Sequence, residues 1–86
     1  MSQNTTTPII LHRHSDSMRG SDADLLIHIH FPDFVNRIED YEVRGGTHFY
    51  FLDGVATLKI NRRKVTLIDE SGDKPVVTVL ATILKA

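Results

Sequence analysis

The sequence predicts a single α+β domain, mostly β, built on an antiparallel four-stranded meander with one short helix and one or two N-terminal strands, and three features predict it. The tract THFYFLDGVATLKI (47–60) sets two apolar runs around Asp53-Gly54, a dipeptide suited to a two-residue hairpin because both turn positions require positive φ. The next corner, NRRK (61–64), read as a four-residue loop, puts Ile60 opposite Val65 and Leu58 opposite Leu67, so the same apolar face continues without a change of parity. Finally, FVNRIEDY (34–41) follows Asp33, a good N-cap, and places Phe34, Val35, Ile38 and Tyr41 on one helical stripe.

In chain order, residues 1–7 are polar and unpatterned and read as a disordered leader, and residues 8–86 form the domain. PIILHRH (8–14) reads as a short strand. SDSMRGSDAD (15–24) is polar, carries Gly20 and reads as a flexible loop. LLIHIHF (25–31) alternates, with Ile27, Ile29 and Phe31 on one side and His28 and His30 on the other, the period of a half-buried strand that Pro32 ends. The helix spans 33–42, and Gly45 and Gly46 close it.

Within the hairpin, a two-residue turn faces Leu52 with Val55, Phe51 with Ala56, Phe49 with Leu58 and Thr47 with Ile60. One sheet face then carries Phe49, Phe51, Ala56, Leu58 and Ile60, and the other carries His48, Tyr50, Thr57 and Lys59. After a third turn, ESGDKP, the run VVTVLATILKA is apolar on both faces, which places it in the middle of a sheet or across a subunit boundary. The expected core is Phe34, Ile38, Phe49, Phe51, Leu58, Ile60, Val65 and Leu67.

Composition bounds the function. With 86 residues, 41% hydrophobic and 24% charged, the chain is an ordinary globular domain, the size of many bacterial and phage accessory proteins. No apolar run approaches the roughly 20 residues of a spanning helix, and the amino terminus lacks the features of a secretory signal, so the expectation is a cytoplasmic protein away from membranes. The absence of cysteine excludes disulfides and thiolate chemistry, and stability must come from packing, a histidine-held ion or association. A net charge of -1 gives no global attraction to nucleic acid.

Three chemistries compete for the conspicuous residues. His12 with His14, and His28 with His30, form two H-x-H pairs; on strands each pair would offer two imidazoles to one ion, zinc or another divalent transition metal. The same alternation is what any half-exposed strand shows at its polar positions. HRHSD shares the opening of the H-x-H-x-D-H signature of metallo-β-lactamase-like hydrolases, but Ser17 stands where the last histidine belongs.

The second chemistry is nucleic-acid binding through Arg62, Arg63 and Lys64 at a hairpin tip, with Arg44 and Tyr50 on the outer sheet face. RGGTHFYF (44–51) resembles the ribonucleoprotein-1 octapeptide of RNA-recognition motifs at Arg44, Gly45 and Phe51, and departs from it at Gly46 and Thr47; the second helix of such a domain is missing, so no function carries over. The third is catalysis, for which the sequence offers no nucleophile motif, phosphate loop or dinucleotide fingerprint. By elimination the expectation is a small non-enzymatic binding or regulatory module, without cofactor. It would form a homo-oligomer through the C-terminal strand, and another protein would be its partner.

Overall fold

The computed structural model of the chain describes residues 7–86; the expected leader lies, but for Thr7, outside the described residues. The elements are β1 (Ile9–Arg13), α1 (Gly20–His30), a 3-10 turn (Pro32–Arg37), β2 (Ile38–Arg44), β3 (Thr47–Leu52), β4 (Ala56–Ile60), β5 (Lys64–Asp69) and β6 (Val76–Lys85). One six-stranded sheet has the order β1-β6-β5-β4-β3-β2. It is antiparallel from β2 to β6, and β1 adds to β6 in parallel. The fold is therefore mostly β with a short helix, as the sequence implies, and the four-stranded meander from β3 to β6 sits inside a larger sheet. Among the described residues no helix is long and apolar enough to cross a membrane.

The helix is not where its stripe was expected. LLIHIH (25–30) forms the second half of α1 rather than a strand, with Phe31 just past its end, and the supposed loop SDSMRGSDAD supplies its first turn. The Asp22 carboxylate accepts a hydrogen bond from the backbone N–H of Arg19 at 3.0 Å, closing the amino end. Ala23, Leu26 and Ile27 fall at i, i+3 and i+4 on the buried side, and Pro32 disfavours helical backbone at Phe31 and ends the helix. The alternation of Ile27 with Ile29 is real but meets a helical period: Ile27 is fully buried, whereas Ile29 is 60% exposed.

The expected helix over 33–42 is instead the 3-10 turn followed by β2. Gly45 and Gly46, at φ 56° and 80°, form a two-residue hairpin corner, so residues 38–44 complete a ladder with β3 rather than a helix. Long-range pairing overrides the apolar stripe of Phe34, Val35, Ile38 and Tyr41.

At the Asp53-Gly54 corner both residues have positive φ and the Val55 N–H donates to the Leu52 carbonyl at 3.0 Å, as a primed turn requires. Yet Leu52 pairs with Ala56, which leaves Val55 as an extra residue, its carbonyl accepting from the Glu70 N–H at 2.7 Å. This one-residue bulge shifts the register and reverses the expected faces of β3. Tyr50 pairs with Leu58 and His48 with Ile60, so Tyr50 and His48 face the helix, while Phe49 and Phe51 face away. The next corner matches expectation: Ile60 pairs with Val65 and Leu58 with Leu67.

The core lies between α1 and one sheet face. It contains Ala23 and Ile27 of the helix over Tyr50, Leu52, Ala56, Leu58, Ile60, Val65, Ala81 and Ile83, with Phe34, Ile38 and Leu67 at its margin. Of the expected core, Leu58, Ile60 and Val65 are buried, and Phe49 and Phe51 are displaced to the other face by the bulge. β6 lies between β5 and β1, inside the sheet, as its two apolar faces imply.

Candidate functional site

The sheet face opposite α1 carries no layer among the described residues. Register places Phe49 and Phe51 of β3, Thr57 and Lys59 of β4, Thr66 and Ile68 of β5, and Val77 and Val79 of β6 on it. A bulge at Leu80 sets the parity of Val77 and Val79, since Val65 pairs with Ala81 but Thr66 with Val79. Higher on the same face, Ile10 stands beside Thr82 and His12 beside Leu84. Val77 is 63% exposed. At the β2 side the Arg44 guanidinium lies 4.9 Å and the Lys59 ammonium 5.7 Å from the Phe49 ring centre, so cations flank the aromatic rather than Tyr50.

Tyr50 cannot serve as an outer contact, because it is 5% exposed and packs beneath α1. Burial, with Tyr41 and Asp24 nearby, pushes its phenol up to about 12. The remaining nucleic-acid candidates, Arg44, Arg62, Arg63 and Lys64, are all exposed.

The structure splits the second of the two histidine pairs. His28 and His30 are two apart on a helix, where such positions diverge, and His28 Nδ1 lies 2.9 Å from the Asp24 carbonyl of its own helix. His12, His14 and His30 border a groove of about 630 Å³ between β1 and α1, from which His28 is absent. Among the described residues no three of His, Asp and Glu converge as a metal ligand set. The fifth histidine, His48, which the sequence did not single out, is the buried one, and its role is to join elements.

A feature hidden by the net charge is its distribution along the strands. Every turn at one end of the sheet brings cations: Arg13 ends β1, Arg19 precedes α1, Arg44 ends β2, Arg62 and Arg63 lie in the β4–β5 corner, and Lys64 and Lys85 flank it. These are seven of the ten Lys and Arg residues. With Asp16, Asp22 and Glu42 beside them, seven cations against three carboxylates leave this end about four charges positive at neutral pH. The other end gathers seven acids, Asp33, Glu39, Asp40, Asp53, Asp69, Glu70 and Asp73, against Arg37 and Lys74. A chain of net charge -1 is thus strongly polarised.

At the basic end the three connecting segments enclose a polar cleft of about 540 Å³ lined by Asp16–Met18, Gly45–Thr47 and Asn61–Arg63. The Asn61 side-chain carbonyl accepts from the N–H groups of Arg63 and Lys64, at 2.8 and 3.0 Å, which fixes the corner. The Arg13 guanidinium donates to the Arg62 carbonyl at 3.0 Å, and Lys85 pairs with Asp16.

Comparison of the chain with protein-family models, curated sequences and solved structures returns no match. The chemistry of these surfaces therefore rests on their residues alone. Among the described residues, His48 bonds to Tyr41 and to the Met18 carbonyl, whereas the uncovered sheet face and the basic end lie at the surface.

Proposed function

We propose that the chain is a small non-enzymatic binding module that acts through its surface and works as a homo-oligomer, two copies meeting at the uncovered sheet face. The observation that supports this is the two-sided character of the sheet: one helix covers one face, and the other presents Phe49, Phe51, Ile68, Val77 and Val79. A sheet with apolar side chains on both faces needs a second layer, and the chain has no further helix among the described residues to provide one. A flat field of aromatic and β-branched side chains suits sheet-on-sheet packing about 10 Å apart, and a two-fold axis lets one face cover its own copy.

β6 contributes to this contact by its side chains: β5 pairs along one of its edges, and β1 takes the other edge only over Ala81–Lys85. Sedimentation velocity and native mass spectrometry test the reading. The expected result is a dimer, converted to a folded monomer by Val77→Lys combined with Val79→Lys; a wild-type chain that stays monomeric at high micromolar concentration overturns it.

A further inference from the structure

We infer that the basic end of the sheet is a binding site for the phosphodiester backbone of nucleic acid. The inference is independent of self-association, since all of its cations except Arg44, whose guanidinium lies over Phe49 on the sheet face, sit at the strand ends and corners away from that face.

Three observations carry it. First, charge is segregated by topology, so a protein with net charge -1 presents a local field of about four positive charges. Second, the cations are strung across this end of the sheet, Arg44 paired with Glu42 at one side and Lys85 with Asp16 at the other, with Arg62, Arg63 and Lys64 between them. Arg44 closes β2 at one sheet edge and Lys85 closes β6 beside the other; four strand spacings of about 4.8 Å put roughly 19 Å between those strands. One nucleic-acid strand carries a charge about every 3.4 Å along the duplex axis, so an array of this width spans several phosphates, whereas an isolated phosphate would engage only two or three of its cations.

Third, the site is open and preformed. A side chain built on Gly45 or Gly46 would meet nothing within 4 Å, so the main chain beside the cleft is accessible to a bulky ligand. Asn61 fixes the neighbouring corner, and Arg63 and Lys64 have no carboxylate partner among the described residues. Arginine predominates among these cations, and its planar fork matches phosphate oxygens two at a time.

Fluorescence polarisation of the full chain with labelled oligonucleotides of mixed sequence, single-stranded and duplex, tests the inference. With about four phosphates neutralised, affinity for a single strand should fall about 50-fold, and for a duplex about 150-fold, between 50 and 200 mM salt. Arg63→Glu with Lys64→Glu changes two exposed side chains and should weaken binding at least tenfold while leaving the circular dichroism spectrum unchanged. Lys74→Glu, at the acidic end, should change affinity less than twofold. Three results would overturn the site: no binding at low salt, binding that ignores the double charge reversal, or displacement by polyglutamate as effective as displacement by unlabelled oligonucleotide. A monomeric protein that still binds would sink the oligomer and leave this site standing.

Discussion

Tyr41 of β2 and His48 of β3 face the helix together, with the Tyr41 hydroxyl 2.7 Å from His48 Nδ1, while His48 Nε2 stands 2.7 Å from the Met18 carbonyl just before α1. A carbonyl can only accept, so Nε2 carries the hydrogen and donates it, and in the neutral ring Nδ1 accepts from the tyrosine hydroxyl. The rings stack at 5.9 Å with 15° between their planes, and His48 is 3% exposed. One imidazole thereby fixes the approach of the helix to the sheet.

Removal of the Tyr41 hydroxyl leaves a buried acceptor without a donor, a change that costs about 1 to 3 kcal/mol. Tyr41→Phe should therefore lower the urea midpoint with an unchanged slope, and the loss should shrink when His48 is already Phe. Equal losses in both backgrounds would show that the hydrogen bond does not hold the helix.

Ile27 and Leu25 are two apart on α1 but differ in fate: Ile27 is fully buried and Leu25 is 59% exposed. Ile27→Ala should destabilise by about 2 to 5 kcal/mol through lost burial and the cavity left behind, enough to unfold much of a small domain. Leu25→Ala should fall within about 0.5 kcal/mol of wild type. Similar costs for the two would favour the strand that the alternating pattern suggests over the helix.

Tyr50 sets an alkaline limit. Its phenol is raised from 10.0 to about 12 by burial, then by Tyr41 and Asp24, so the folded chain holds a proton that the unfolded chain releases. The stabilisation is complete below pH 10, declines as pH rises through the interval to about 12, and amounts to roughly 2 to 3 kcal/mol in all. Thermal melts should fall across that interval, and Tyr50→Phe should fall less steeply. Parallel melting curves for the two proteins would contradict this assignment.

Legibility varied with the range of the interaction that decides each element. The corner at 61–64 and the pairing of Ile60 with Val65 follow from local turn geometry and were readable. Asp53-Gly54 was readable as a corner, but the bulged Val55 is held by the Glu70 N–H from another loop, and that distant contact reverses β3. The Gly45-Gly46 pair between YEVR and THFYF was an available hairpin signal for β2, outweighed by the helical stripe preceding it. For α1 the signals were the spacing of Ala23, Leu26 and Ile27, and Asp22 three residues after Arg19. Among site residues, Arg44, Arg62, Arg63 and Lys64 stood out in the sequence, but their union with Arg13, Arg19 and Lys85 requires the parallel placement of β1 beside β6.

By itself the sequence determined a β-rich fold without cysteine chemistry, the positions of its corners and an apolar last strand, because these depend on composition, period-two patterning and residues that tolerate positive φ. Only the tertiary structure decided which face of β3 is buried, that LLIHIH is helical, and that a nearly neutral chain is positive at one end and negative at the other. The physical reason is that local energies at these sites differ by less than the gain from packing and long-range hydrogen bonds, so contacts between residues far apart in the chain choose among patterns that the sequence leaves nearly equal.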